Sequence, residues 1–324
     1  MREKTSDHLS KFKGLTPNFL YGLVFTVIAL GTIGTQTGIF SLPVFKGPPP
    51  PYTGPLPSPS QEFRAITASA LRLRFENLGY TLDAVRGGKS NVPRIYLTEL
   101  PKDLSQLTSV KERKDLFLLS LLPMILRVNE RLAADRTRLQ RIQGLRNSKE
   151  TVSRADAKWL AEAEKIYAVE SGGIRSLMSR LDEIPISLAL AQAATESGWG
   201  TSRFARMGNA LFGQWTENKN VAGMAPAGRG KNKKHRVRAF KSLIRSVWKY
   251  ALNLNNHPAY RSFRENRAAA RQNSRALSGV SLTHTLTQYS ERGIVYSEEL
   301  RTIIRVNRLH ELDGVKLRQV KPTS

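Results

Sequence analysis

The sequence predicts a mainly α-helical protein with a small β-hairpin or loop lobe, preceded by one N-terminal transmembrane helix. Three observations predict it. No charged residue occurs between Lys13 and Lys46. Apolar residues recur at helical spacing through most of the chain after Glu62. Residues 209–240 alone resist a helical pattern, because of their glycines, Pro226 and polar residues.

The charged head, residues 1–18, carries four Lys/Arg. The stretch "NFLYGLVFTVIALGTIGTQTGIFSL" that follows is long enough, at ~1.5 Å per residue, to cross a ~30 Å hydrocarbon layer, which predicts a transmembrane helix over residues 19–42. A cleaved signal peptide has the same order of basic head and apolar run, but no small-x-small pair lies just behind the run, so retention as an anchor is expected. Residues 42–63 carry Lys46 as their only Lys or Arg. The positive-inside rule therefore puts the head in the cytoplasm and the rest outside, which in a bacterium means a single-pass inner-membrane protein with its folded body in the periplasm. Residues 43–61 include "KGPPPPYTGPLPSPS", where proline fixes φ and removes donors; an extended spacer is expected.

Residues 62–154 read as a helical N-terminal region. Within it "DLFLLSLLPMILRVNERLAADRTRLQRI" is too short and too closely flanked by charge to span a membrane, which predicts a core helix kinked or started at Pro123. Residues 155–312 form the expected catalytic domain, and 313–324 a tail. "ADAKWLAEAEKIYAVESGG" places Trp159, Ala163, Ile166 and Glu170 at helical spacing before a glycine pair. In "AFKSLIRSVWKYALNLNNHPAY" Phe240, Leu243, Ile244, Val247, Trp248 and Ala251 share one face until Asn255, Asn256 and Pro258 break it. "SEELRTIIRVNRLHEL" supplies a last helix through Leu300, Ile303, Ile304 and Asn307.

Between the first and second of these, "AQAATESGWGTS" places Glu196 at the end of an apolar run with no Lys or Arg within six residues on either side. Pro185 at a first helical turn, followed by Ile186, Leu188, Ala189, Leu190, Ala191, Ala193 and Ala194, describes a helix apolar nearly all round and therefore buried. Gly198 is expected in a left-handed C-terminal conformation, and Gly200 is expected to turn the chain away without covering the carboxylate. Desolvation and the negative end of the helix dipole both disfavour ionisation, so Glu196 is expected to keep its proton near neutral pH. A neutral carboxylic acid beside a cleft suits glycosidic-bond cleavage, where the leaving oxygen must be protonated as the bond breaks. The alternative is a core glutamate bonded to backbone or to an arginine such as Arg203.

The net charge of +25, from 51 Lys+Arg against 26 Asp+Glu, points to an anionic neighbour or to solubility. Six of the Lys/Arg and no acid fall in "GRGKNKKHRVR", residues 228–238, which would serve either as a flap attracting anionic envelope polymers or as a solvated loop. With no cysteine, thiolate catalysis, disulfides and cysteine zinc sites are excluded. The five histidines lie singly, so no metal site and no cofactor is expected. Nucleic-acid binding is not expected, since no recognition helix, zinc knuckle or aromatic platform accompanies the charge.

"ISLALAQAATESGWGTSRFA", followed by "NALFGQW", resembles the glucosaminidase family of bacterial peptidoglycan hydrolases. "NVPRIYLTELPKDL", "KDLFLLSLLPMILRVNE", "LNNHPAYRSFRENRAAAR" and "YSERGIVYSEELRTIIRVNRL" narrow the resemblance to the Bax-type members of that family, over about Glu62 to Leu312. The resemblance implies a lysozyme-like α+β fold, mostly helical, that cleaves the β-1,4 bond after N-acetylglucosamine in peptidoglycan glycan strands. It implies Glu196 as the catalytic glutamate, Asn209, Leu211, Phe212 and Gly213 as the segment beside it, and Tyr260 as a tyrosine along the cleft. Trp199 and Trp215 would line the sugar track, with a core role open for Trp199. Glu217, the only acid from Gly213 through Phe240, is the candidate second carboxylate. Otherwise the substrate's acetamido group would act as internal nucleophile, oriented by Tyr260 or Tyr289, with Glu291 a more distant candidate. Lytic transglycosylase-like cleavage and a non-catalytic wall-binding membrane anchor are the alternative functions.

Overall fold

The computed structural model describes residues 62–64, 67–227 and 234–319. The described residues 62–64, 67–225 and 234–319 belong to one compact unit, which holds every element below. The expected head, membrane span and proline spacer lie outside the described residues. Among the described residues no helix is long and apolar enough to cross a membrane.

The body is mainly helical. A short strand β1 (Glu62–Phe63) leads into α1 (Ala68–Asn77) and α2 (Leu82–Arg86), and β2 (Tyr96–Leu97) pairs in parallel with β1, Glu62 opposite Tyr96. Then comes α3 (Val110–Asn147), a 38-residue helix. It neither starts nor stops at Pro123, which lies inside it, and the apolar run Leu116–Leu126 is buried throughout. Ser109 at its start accepts from Glu112 N–H, the kind of side-chain acceptor that helix N-termini need. Helix α4 (Arg154–Ile166) ends before Glu170, earlier than its periodicity suggests, and α5 (Ile174–Arg180) follows the glycine pair.

Helix α6 (Ile186–Ser197) carries the carboxylate of interest. Pro185 is its N-cap rather than a residue of the first turn. The helix packs against α3 and against elements further along the chain, which is why it is apolar on nearly every side. After α7 (Arg203–Gly208), the segment expected to be a hairpin or loop forms a small antiparallel sheet. Its strands are β3 (Trp215–Thr216), β4 (Gly223–Met224) and β5 (Arg236–Arg238), in the order β3-β5-β4, with Val237 opposite both Trp215 and Met224.

Helix α8 (Leu243–Asn256) starts after Phe240 and ends on Asn256, two residues before Pro258, so the expected break falls after the asparagines and not before them. Their buried amide nitrogens reach tertiary partners, Asn255 Nδ2 donating to Asp182 O at 3.0 Å and Asn256 Nδ2 to Ile166 O at 2.8 Å. A 3-10 turn at Pro258–Tyr260 leads to α9 (Arg261–Gln272), α10 (Gly279–Leu282) and α11 (Ile294–Val306). One hydrophobic core runs from Ala68 to Leu317, so the N-terminal helices and the expected catalytic domain share it.

Candidate active site

Glu196 sits in the last turn of α6, half-buried. Three consecutive residues with positive φ end the helix: Gly198 (58°), Trp199 (57°) and Gly200 (77°). Gly198 takes the expected left-handed position, and its N–H donates to Ala194 O. The reason for Gly200 differs from the expectation. A Cβ there would meet Leu100 and lie 2.9 Å from Cδ2 of Phe117, so this glycine permits close packing on the core. The glycine that leaves the carboxylate uncovered is Gly213, at φ 60°, where a Cβ would come within 2.9 Å of Glu196 Oε2.

The other oxygen is engaged. Tyr296, on α11, donates its hydroxyl hydrogen to Glu196 Oε1 at 2.9 Å. Gln192, one turn before Glu196 on α6, donates through Nε2 to Tyr296 Oη at 3.0 Å and accepts from the Tyr250 hydroxyl at 2.7 Å. Arg203 does not reach the carboxylate; it donates to Ala225 O and lies over the Phe204 ring.

Burial raises the Glu196 carboxyl to about 6. The Tyr296 hydrogen bond and the field of Arg292 oppose the rise, and the charge of Glu299 adds to it. Arg292, just before α11, is itself paired with Glu299 on that helix, Nη1 to Oε2 at 2.5 Å, and lies 5.4 Å from the Tyr296 ring centre. Glu196 is therefore partly protonated near pH 6, with one oxygen bonded and the other facing a residue without a side chain.

The segment beside it is held in place from several directions. Asn209 is left-handed at φ 51° and donates to Phe240 O, while Leu211 N–H donates to Ser246 Oγ. The Phe212 ring stacks on Tyr250 at 3.9 Å, and its carbonyl accepts from the Tyr289 hydroxyl at 3.0 Å. Tyr289 in turn stacks on Tyr296, with ring centres 5.6 Å apart, and lies 5.7 Å from Tyr260. The structure thus brings together Glu196, Phe212, Gly213, Tyr260 and Tyr289 among the expected residues. Tyr260 is fully buried, burial pushes its hydroxyl well up, and it touches Glu196 through no hydrogen bond.

The remaining candidates lie elsewhere on the body. Trp199 is half-buried, edge-on to Phe117 and capped by Lys114 Nζ at 4.5 Å from its centre, an arrangement that ties it to α3. Trp215 is 41% exposed on the lobe and meets His235 at 4.6 Å. Glu217 is exposed and makes no hydrogen bond or ion pair among the described residues, and Glu291 is exposed before α11. Part of the basic stretch, residues 228–233, lies outside the described residues.

Sequence reasoning missed Tyr296, Gln192, Tyr250 and the Arg292–Glu299 pair. Gln192 alone left a local signal: it is the one amide on an apolar helix, and it lies one turn before Glu196 on the same face. Tyr296 approaches Glu196 from a hundred residues further along the chain, where no local pattern links the two.

A glucosaminidase family model, described as mannosyl-glycoprotein endo-beta-N-acetylglucosaminidase, matches residues 173–309. The chain is 36% identical over 213 residues to Protein bax of Escherichia coli (strain K12), covering 63% of this chain and 73% of that protein. Among solved structures, the catalytic domain of the autolysin Auto from Listeria monocytogenes is similar at 20% identity, over 54% of this chain and 96% of that one. Its TM-score is 0.32, too low to carry an argument about fold.

Proposed function

The chain belongs to the glucosaminidase family, among its Bax-type members, and from that premise we propose that it cleaves the β-1,4 bond after N-acetylglucosamine in peptidoglycan glycan strands. It is a glycoside hydrolase. The observation that carries the finer reading is the state of Glu196: raised to about 6 by burial, bonded at Oε1 by Tyr296 and open at Oε2 against Gly213. In this reading Glu196 is the general acid. Its proton passes to the leaving glycosidic oxygen as the carbon–oxygen bond breaks, and water then delivers hydroxide to the anomeric carbon and a proton back to Glu196.

The other residues take supporting roles. Tyr260 and Tyr289 line the aromatic wall beside the acid, and Asn209, Phe212 and Gly213 shape the segment facing it. Trp199 and Trp215 offer flat rings to sugar faces. Assistance at the anomeric carbon falls either to Glu217, the single acid of the lobe, or to the substrate's own acetamido group. The lysozyme-like arrangement belongs to the same reading, supported by a mainly helical body with a small sheet beside the acid. So does placement at the bacterial inner membrane with the body in the periplasm, supported by the uncharged stretch between Lys13 and Lys46.

Mass spectrometry of glycan fragments released by the purified full chain tests the reaction. Wild type is expected to leave reducing-end N-acetylglucosamine, and Glu196→Gln none. Reducing-end N-acetylmuramic acid would overturn the bond assignment, an anhydro sugar would make the protein a lytic transglycosylase, and no product from either would leave a wall-binding anchor. Glu217→Gln in the same assay separates the two modes of assistance: loss of product supports the carboxylate, full retention the acetamido group.

A further inference from the structure

The hydrogen bonds behind Glu196 run in one direction only. An amide oxygen accepts and never donates, so Tyr250 spends its hydroxyl hydrogen on Gln192 Oε1 at 2.7 Å. An amide nitrogen donates and does not accept, so Gln192 Nε2 spends its hydrogen on Tyr296 Oη at 3.0 Å. Tyr296 is left with one hydrogen and points it at Glu196 Oε1, 2.9 Å away. Gln192 and Tyr296 are fully buried and Tyr250 is 1% exposed, so no bulk water competes for these groups. Burial pushes both tyrosine hydroxyls well above their usual range, which keeps them neutral donors.

A carboxyl oxygen that accepts such a bond is the carbonyl oxygen of the neutral acid. We infer that Gln192 is a positioning residue which, acting through Tyr296, confines the acidic proton of Glu196 to Oε2, the oxygen that faces Gly213. The inference rests on the reading of Glu196 as general acid. If the amide were turned around, Tyr296 would donate to Gln192 and present only lone pairs to Glu196. The proton would then sit on Oε1, between the carboxyl and the buried tyrosine, and would be withheld from substrate.

The same arrangement serves the step itself. As Oε2–H breaks and the hydrogen joins the leaving oxygen, Glu196 becomes a carboxylate, and the Tyr296 bond to Oε1 becomes charge-assisted and stronger. The stabilisation thus grows along the reaction. The charged and titratable groups around the acid are Arg292 just before α11, Tyr296 and Glu299 on it, Tyr250 on α8, and Tyr260 and Tyr289 in the aromatic wall. Neither Arg292 nor Glu299 belongs to the chain of hydrogen bonds; they set its background field.

The test compares pH profiles of kcat and KM on glycan strands for the full chain, Gln192→Met, Tyr250→Phe and Glu196→Gln. Gln192→Met keeps the length of the side chain and removes both amide partners. It is expected to lower kcat roughly 10- to 100-fold with KM changed less than about twofold, because a misplaced proton costs turnover more than binding. It is also expected to move the alkaline limb upward, since a weaker Tyr296 bond stabilises the carboxylate less. Tyr250→Phe keeps the ring stack on Phe212, releases the amide to turn, and is expected to shift the limb the same way by less. A filler role for Gln192 would lower the melting temperature but leave the limb in place. Unmoved limbs in both variants, with Glu196→Gln inactive, overturn the inference. If Gln192→Met does not fold, Tyr250→Phe decides by the same criterion. Activity in Glu196→Gln overturns the underlying reading instead.

Discussion

Glu196 lies in the last turn of a buried helix, with no Lys or Arg within six residues of it along the chain. The apolar helix before it and the left-handed glycine after it take the carboxyl out of water, and burial raises it to about 6 against the opposing field of Arg292. Two consequences of opposite use follow. In the proposed role of general acid it would work only while protonated, so kcat/KM is expected to fall as pH rises through about 6, read from initial rates across pH 4–8. As a buried group whose folded pKa lies above its unfolded value, it favours the folded state most at low pH. That contribution is lost between about 4.5 and about 6, a change of roughly 2 kcal/mol for a shift of this size. Glu196→Gln cannot ionise, so its stability relative to wild type is expected to improve by about that amount between pH 4 and pH 8 in urea denaturation. An unchanged difference would mean that the carboxyl is not perturbed. The glycines show where residue-scale reading stops. Positive φ at Gly200 and openness around the acid both have sequence signatures, but which glycine faces the carboxylate depends on a segment folded back from residue 213.

At the scale of elements, the acid is only as well placed as α6. Its start is fixed by Ser187, whose N–H and Oγ both donate to the Asp313 carboxylate at 2.8 Å, and by Asn129, which exchanges two hydrogen bonds with the backbone of Ile184. Just before it, Asp182 lies 2% exposed among Arg136, Arg267 and Arg271. Burial alone would raise its carboxyl, but Arg267, Arg271 and Arg136 outweigh burial and hold it below the usual range. Arg267 is completely buried and also donates to Glu183 O and Asn255 Oδ1. Asp182→Asn keeps the shape but leaves this guanidinium without its counter-charge, and is expected to cost about 3–5 kcal/mol at pH 7 by denaturant unfolding. Because the folded pKa is depressed, the contribution is full above the unfolded carboxylate value and disappears as pH falls through the folded one. The gap between variant and wild type is therefore expected to close in strong acid. Such clusters explain the misplaced helix boundaries. Asn255 and Asn256 are poor helix residues in isolation, and their bonds to the carbonyls of Asp182 and Ile166 hold them in the last turn of α8.

At the scale of the molecule, periodicity showed that residues 62–154 are helical but not what they are for. The family model begins at residue 173, yet α3 packs on α5, α6 and α8, and its Phe117 lies against Trp199 and fills the space that Gly200 leaves open. The first part of the chain thus supports the turn that ends the helix of the acid. The far end of the chain also closes on it: Val92 N–H donates to Lys316 O at 2.9 Å, Arg318 N–H to Val92 O at 2.8 Å, and the Arg86 guanidinium to Asn307 O at 2.7 Å. No such closure has a local sequence signal, since its partners lie more than two hundred residues apart. A piece limited to residues 155–324 would expose the faces of α6 and α8 that α3 covers, a loss of burial at roughly 25 cal/mol per Å² that few domains could absorb within a net stability of about 5–15 kcal/mol. That piece is expected to show no cooperative melting transition, while residues 62–324 melt in a single one by calorimetry. Independent folding of the shorter piece, with glycan cleavage intact, would make the N-terminal helices an accessory domain; two separate transitions in the longer one would deny the shared core.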